Sequence, residues 1–324
     1  MSGEFNLIEK YFVGRQAQRK DVLLAAGDDC ALVQPPENIA LAISTDTLVA
    51  GNHFLPSANP AWVAHRALAS NLSDLAAMGA TPAWVSFALT MPEADEAWLA
   101  PFCDSFFQLA DYFGIQLIGG DTTKGALSLT LTVQGFVPKD RALTRHTAQV
   151  GDAIYVTGNL GDSRAGLDVI LDPSKRSLPF AEKLEERHFL STPRILVGQA
   201  LLDIASAAID ISDGLIADLG HILQRSNVGA SIDVAELPLS SELLQFLGNT
   251  TDAQQYALTS GEEYELCFTV PQEHRGVIES ALAHCGCKVS CIGQIRPAGT
   301  FELHRSGQPL AWQLHGYDHF KSAS

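Results

Sequence analysis

Basic residues are scarce in this chain: 21 lysines and arginines stand against 37 aspartates and glutamates, a formal net charge of −16. No basic block offsets the excess, so neither a nucleic-acid backbone nor an anionic membrane surface is an expected partner. No run approaches 18 uninterrupted apolar residues, and no membrane-spanning helix is expected. Met1–Asn6 has neither the basic nor the apolar region of a signal peptide. Six cysteines in 324 residues, without such a leader, predict reduced thiols and a cytoplasmic location. The common phosphate-handling signatures are missing as well. There is no G-x-x-x-x-G-K-[ST] loop, no protein-kinase set of glycine-rich loop, lysine and His-Arg-Asp, and no G-x-S-x-G elbow. A nucleotide bound here has to be held by metal and carboxylate instead.

What the chain does have is aspartate among small polar residues, repeated in five places: Gly27-Asp28-Asp29-Cys30, Ser44-Thr45-Asp46-Thr47, Asn71-Leu72-Ser73-Asp74, Gly119-Gly120-Asp121-Thr122 and Asp210-Ile211-Ser212-Asp213-Gly214. Oxygen donors of this kind suit hard divalent cations, and Mg²⁺ is usually held by a few carboxylates together with substrate phosphates. Two like charges about 4 Å apart repel by roughly 4 kcal/mol at an effective dielectric near 20. Clustered aspartates in an acidic chain therefore point to cations between them.

With 46% hydrophobic and 18% charged residues the chain is globular in composition and long enough for two domains. The pattern predicts strands over 39–44, 84–91, 116–118 and 127–133, the last alternating strictly as a half-buried strand does. Helices are predicted from Pro60 to Met78 and from Ala97 to Phe113. A turn-like stretch at 147–151 suggests a boundary, giving domains 1–148 and 149–324. Beyond it, strands are predicted at 153–157, 207–211, 231–234, 265–270 and 288–292. Helices are predicted after Ser163, from Thr192-Pro193, and over 215–225, where Leu215, Leu219, Ile222 and Leu223 share a face. Residues 172–192, charged and holding Pro173 and Pro179, read as a surface excursion. The fold class is α+β.

Each segment has a plainer reading. Asn71 and Asp74 share a helical face that could simply be solvated. Asp46 reads as an Asx or Ser/Thr turn closing a strand. Gly119-Gly120 would let backbone amides approach a phosphate, or merely form a turn. Ser212 or Asp213 could cap a helix, which leaves Asp210 inside an apolar strand unexplained. Arg145 suits a phosphate contact or a salt bridge between domains. His53 lies just beyond the Asp46 segment, as either a structural or a ligand-contacting histidine. His284-Cys285-Gly286-Cys287 with Cys291 invites zinc, yet no second pair with finger-like spacing accompanies it. His315-Gly316-Tyr317-Asp318-His319 suits a pocket wall or a metal site.

Taken together, the five aspartate segments, His53-Phe54, Ser260-Gly261-Glu262-Glu263-Tyr264-Glu265-Leu266 and Gly316-Tyr317-Asp318-His319-Phe320 resemble the thiamine-monophosphate kinase family. That family lies within the superfamily that includes aminoimidazole ribonucleotide synthetase and selenophosphate synthetase. The likeness runs over nearly the whole chain; the Glu-Tyr-Glu-Leu run and the Gly-Tyr-Asp-His-Phe ending narrow it to the thiamine enzymes. One departure is Glu263, where aspartate is the more usual residue. The resemblance implies an N-terminal mixed α/β domain that binds ATP and Mg²⁺ and pairs in a homodimer, with a C-terminal α+β domain completing the active site. It implies transfer from ATP to thiamine monophosphate, giving ADP and thiamine diphosphate, with several Mg²⁺ ions; a K⁺ requirement stays open. Carried over by position, Asp29, Ser44, Thr45, Asp46, Asp74, Asp121, Asp210 and Asp213 bind metal, with Asp46, Asp74, Asp121 and Asp213 the catalytic set. Gly120, Asp121, Arg145 and Ser212 lie near ATP. His53, Glu262 and Tyr317 contact thiamine monophosphate.

The chemistry is consistent with this expectation. A phosphate acceptor with a second pKa near 6 is already largely ionised at neutral pH, so direct in-line transfer asks for alignment and charge neutralisation rather than a general base. Two rival readings remain: a ring-closing ATP-dependent synthetase of the same superfamily, and a non-catalytic divalent-cation-binding protein. The compact D-x-[DN]-x-[DN]-G loop of common Ca²⁺ sites is absent. A metallophosphohydrolase would usually add histidine to its ligands, which these segments lack.

Overall fold

A computed structural model of the chain describes residues 4–312 and 314. Two compact units emerge: the chain up to Leu75 with Ala80–Asp140, and Ala76–Gly79 with the chain from Arg141 onward.

The first unit runs α1 (Glu4–Tyr11), β1 (Val22–Leu24), β2 (Leu32–Val33), β3 (Ile39–Val49), α2 (Pro60–Ala77), β4 (Thr81–Met91), α3 (Glu96–Phe113), β5 (Gln116–Lys124) and β6 (Ser128–Pro138). Its main sheet has the order β3-β6-β4-β5, antiparallel except for the β4–β5 pair. Strict alternation in β6 buries Leu129, Leu131, Val133 and Val137 and leaves their neighbours half-exposed, as the period predicts. Helix α3 starts where the Asp95 carboxylate accepts the N–H groups of Ala97 and Trp98, at 2.9 and 3.2 Å. It stops at Gly114, in the left-handed conformation. Its Phe102 and Phe106 stack on Phe87 of β4, with ring centroids 5.6 and 5.8 Å apart, so α3 covers the inner face of the sheet.

Two strands run further than expected. Strand β3 continues five residues beyond Ser44, through Asp46 to Val49, every residue paired with β6. The polar residues did not end it because Thr45 and Thr47 face outward, where their hydroxyls meet Thr132 and Thr130 across the ladder, each at 2.9 Å. Strand β5 likewise passes through Gly119-Gly120-Asp121 to Lys124. Glycine is needed there for room rather than for a turn: a Cβ on Gly120 would lie 1.9 Å from the Phe87 carbonyl oxygen.

The second unit contains β7 (Ala153–Thr157), α4 (Asp162–Leu171), α5 (Ala181–Phe189), α6 (Ile195–Ala200), β8 (Ala207–Asp210), α7 (Leu215–Ser226), β9 (Gly229–Asp233), α8 (Ser241–Leu247), α9 (Thr250–Thr259), β10 (Leu266–Val270), α10 (Ile278–Leu282), β11 (Val289–Arg296), β12 (Phe301–Arg305) and β13 (Gln308–Leu310). Its sheet has the order β13-β12-β9-β11-β7-β10-β8, with only β9–β12 parallel. Every residue of β7, β8 and β10 is buried, because helices pack on this sheet. Ile154, Val156, Ile209, Leu215, Leu219 and Ile222 share one core. A second cluster joins α4, α5, α8 and α9 through Val169, Leu184, Leu243 and Ala253.

Residues 172–192 are not simply a surface excursion. They hold a 3₁₀ turn (Pro173–Ser177) and α5, in which Ala181, Leu184 and His188 point inward while the charges face out. Among the described residues, no helix is long and apolar enough to cross a membrane.

Candidate active site

In the first unit, the alternation of β3 turns Ser44, Asp46 and Leu48 toward α2. Helix α2 is nearly all buried there: Ala67, Leu68, Asn71, Leu72 and Ser73 have no exposure, and its small side chains permit close approach. Ser44 Oγ donates to Asp74 Oδ2. The Asp46 N–H donates to Asn71 Oδ1 at 3.2 Å, and Asn71 Nδ2 donates to the Ala67 carbonyl at 2.9 Å. Asn71 therefore ties the strand to the helix, a role its spacing to Asp74 had marked only as a shared face. Burial, then the neighbouring Asp74 carboxylate, push Asp46 up from 3.8 to about 6. Two neighbouring carboxylates, one reluctant to ionise and the other accepting from a hydroxyl, form an oxygen donor set suited to a hard cation.

Other expected ligands stand apart from this set. Thr45 points to the outer face of the sheet, toward Thr132. Asp121 is exposed and lies in the cross-strand row Thr47–Thr130–Ala88–Asp121, whereas Asp46 belongs to the row Asp46–Leu131–Phe87–Gly120. Facing residues in one row share a face, so Asp121 and Asp46 lie on opposite faces and three strand spacings apart, about 14 Å. Asp29 is exposed in a bend, its N–H donating to Asp28 Oδ1 at 2.8 Å. The structure thus unites Ser44, Asp46 and Asp74, and brings neither Thr45 nor Asp121 nor Asp29 to them. Among the described residues of either unit, no three His, Cys, Asp or Glu side chains gather as a ready metal cage. His53 Nδ1 accepts the Val49 N–H at 3.0 Å, closing the turn after β3.

In the second unit, Asp210 ends β8 and is 3% exposed. The loop that follows is shaped by a residue the sequence reading passed over. Asp218 Oδ2 accepts three backbone N–H groups, from Ser212 (2.9 Å), Asp213 (2.9 Å) and Gly214 (3.0 Å). Burial pushes this carboxyl up to about 7 against those donors. Neither Ser212 nor Asp213 caps α7 with its side chain; Gly214 holds that position. An acid four residues after Asp-Gly at a helix start was the available signal. The loop is laced to the 260–265 segment: Glu262 N–H donates to the Ser212 carbonyl (2.7 Å) and Tyr264 N–H to that of Ile211 (2.9 Å).

The acids of that second segment have separate tasks. Glu263 Oε1 accepts from Ser260 Oγ (2.5 Å), Gly161 N (2.8 Å) and Ser163 N (3.2 Å), so it closes the start of α4. Burial, then Asp162, push it from 4.5 to about 8. Glu265 accepts both arms of Arg194, at 2.7 and 2.5 Å, and the Thr157 hydroxyl at 2.5 Å. Glu262 is half-buried, its Oε2 lying 3.8 Å from His188 Nε2. Arg145 has an exposed side chain, and its carbonyl accepts from Ser226 Oγ at 3.0 Å. Cys285, Cys287 and Cys291 are free thiols. Tyr317 and the rest of the His315–His319 segment lie outside the described residues.

Comparison with known proteins agrees with this two-unit architecture. Residues 27–137 match the AIR synthase related protein, N-terminal domain, and residues 149–305 match the AIR synthase related protein, C-terminal domain. Thiamine-monophosphate kinase of Escherichia coli (strain K12) is 54% identical over 324 residues, covering 98% of either chain. A crystal structure of thiamine-monophosphate kinase from Stenotrophomonas maltophilia K279a is 43% identical, with a TM-score of 0.85, covering 95% of this chain and 98% of that one. A solved structure of AaThiL complexed with AMPPCP and TMP is 31% identical, with a TM-score of 0.78, covering 98% of this chain and 97% of that one. The chain belongs to the thiamine-monophosphate kinase family.

Proposed function

We infer that this protein transfers the terminal phosphoryl group of ATP directly to the phosphate of thiamine monophosphate, yielding ADP and thiamine diphosphate, with Mg²⁺ held by its carboxylates. The observation that carries the reading is the Ser44–Asp46–Asp74 cluster, in which two half-buried acids are neighbours and Asp46 is pushed up to about 6. Its donors are the hard oxygens Mg²⁺ prefers, and a cation would relieve the repulsion. Bound there, Mg²⁺ would supply charge neutralisation between the two phosphate groups. In the second unit, Asp218 fixes the loop that carries Ser212 and Asp213, so donors in it are already ordered before substrate arrives. No side chain is asked to act as general base, since the acceptor phosphate is already largely ionised near pH 7.

Pairing of first units in a homodimer belongs to the same reading. Leu41 and Ile43, 43% and 63% exposed, lie on the outer face of β3 beside Thr45 and Thr47, an apolar strip suited to a second copy. Asp121 and Thr45 project from that same outer side, so pairing would give them a function that the single chain does not.

The test is incubation with ATP, Mg²⁺ and thiamine monophosphate, with products resolved chromatographically and K⁺ exchanged for Na⁺ in parallel. A thiamine diphosphate peak is expected, reduced at least about 100-fold in folded Asp46→Ala and Asp74→Ala chains. Release of inorganic phosphate without thiamine diphosphate, or a phosphoprotein formed stoichiometrically from ATP alone, would contradict it.

A further inference from the structure

Glu262 and Tyr264 both have positive φ, 60° and 54°, which L side chains rarely adopt. Their surroundings impose it. The two backbone hydrogen bonds to Ser212 and Ile211 fasten the segment, and a Cβ on Gly261 would lie 2.7 Å from the Ser212 carbonyl oxygen. Between the two strained residues, the Glu263 carboxylate is bound to the Gly161 and Ser163 N–H groups. A backbone fixed at so many points delivers the Glu262 carboxylate to one place, within 3.8 Å of Nε2 of His188 in α5.

The other ring nitrogen of His188 is seated on Ser163. Its Nδ1 lies 3.1 Å from the Ser163 carbonyl oxygen and 3.0 Å from Ser163 Oγ. Ser163 Oγ can donate to Nδ1, which places the ring hydrogen of a neutral imidazole on Nε2, the atom that faces Glu262. His188 itself is 2% exposed, edge-on to Phe189, with ring centroids 5.2 Å apart. Glu262 faces the ring from the 260–265 segment, and Arg187, next to His188 on α5, is paired with Asp162.

We propose that His188, seated on Ser163, is a positioning residue that aims the Glu262 carboxylate at the cationic heteroaromatic part of the phosphate acceptor. The inference rests on the phosphoryl-transfer reading above. Thiamine monophosphate carries a permanent thiazolium charge and an exocyclic amine, and a carboxylate complements both. Neither group reacts, so losing the aim weakens acceptor binding and leaves the chemical step alone.

Steady-state kinetics of the full chain test this with His188→Asn, which keeps a donor to the Ser163 carbonyl but cannot reach Glu262. His188→Gln, which extends an N–H to the place of Nε2, is the rescue. His188→Asn is expected to raise the KM for thiamine monophosphate about 10-fold while kcat and the KM for ATP stay within about two-fold. His188→Gln should recover most of that loss. In a Glu262→Gln background, His188→Asn should add less than about two-fold, because its effect runs through Glu262. Should His188→Asn fail to fold, Ser163→Ala, which removes only the hydroxyl, is expected to raise the same KM about three-fold and to lose that effect in Glu262→Gln. Equal losses in both backgrounds, or an equal rise in the KM for ATP, would overturn the role of His188 alone. A wild-type chain that forms no thiamine diphosphate overturns the functional reading and this inference with it.

Discussion

The acids of the two units are treated in opposite ways. In the second unit, Asp218, Glu263 and Glu265 each collect donors from the protein: three backbone amides, two amides with a hydroxyl, and a forked arginine with a hydroxyl. In the first, burial and the neighbouring Asp74 carboxylate both push Asp46 upward. Acids supplied with donors shape loops and helix ends. Acids set against one another resist ionisation. The difference separates carboxylates that hold the fold from those that repel one another, which proximity in sequence to Gly, Ser and Thr could not do.

The largest effect expected on breaking this contrast comes from Arg194→Ala. It leaves Glu265 buried with its guanidinium partner gone and should cost about 3–5 kcal/mol in urea denaturation; a loss below about 1 kcal/mol would show that the pair is dispensable. Next is Glu263→Gln. The folded-state pKa of Glu263 is raised from 4.5 to about 8, so its contribution is fully present below pH 4.5 and is lost as pH rises through 8. Removing the titrating group should flatten stability over that window and raise it by about 4 kcal/mol at pH 8. Thermal melts across pH 4–9 check the sign, and an unchanged slope would refute the assignment.

A smaller change, about 2 kcal/mol, is expected for Asp46→Asn without metal. The sign is the same: Asp46 is raised from 3.8 to about 6, so the wild type loses stability as pH climbs through 6 and the asparagine variant does not. Adding Mg²⁺ should stabilise the wild type and leave Asp46→Asn nearly unmoved; equal stabilisation of both would erase the distinction between the units. Least affected should be Thr47→Val, one residue along the same strand but on the outer face, where it loses a hydroxyl pair with Thr130. A cost of about 0.2–1 kcal/mol, with an unaltered Mg²⁺ response in the same melts, is expected.

Much of this architecture was legible because periodicity is local. The alternation of Leu127–Val133 became β6, the run from Ala97 to Phe113 became α3, and Leu215, Leu219 and Ile222 face inward on α7. Charged stretches were harder to read. Helix α5 hides an inward stripe of Ala181, Leu184 and His188 among its charges, and α8 and α9 were missed although Ser240 and Asn249 cap them. The site was readable as a set of aspartates but not as a geometry. Whether Asp46 and Asp121 share a face depends on the register across four strands, which no single segment encodes. The Arg194–Glu265 and Ser163–His188 contacts join residues far apart in the chain and leave no local mark.

One consequence follows from the parity of β3. Because its even-numbered residues from Ser44 to Leu48 look inward and its odd-numbered ones look out, deleting or inserting a single residue upstream in the strand exchanges the two sets at a stroke. Threonines would then confront α2 while Asp46 was delivered to the outer surface, with composition and strand propensity hardly altered. Length changes in this strand should therefore be survivable only in steps of two, a constraint of counting rather than of chemistry.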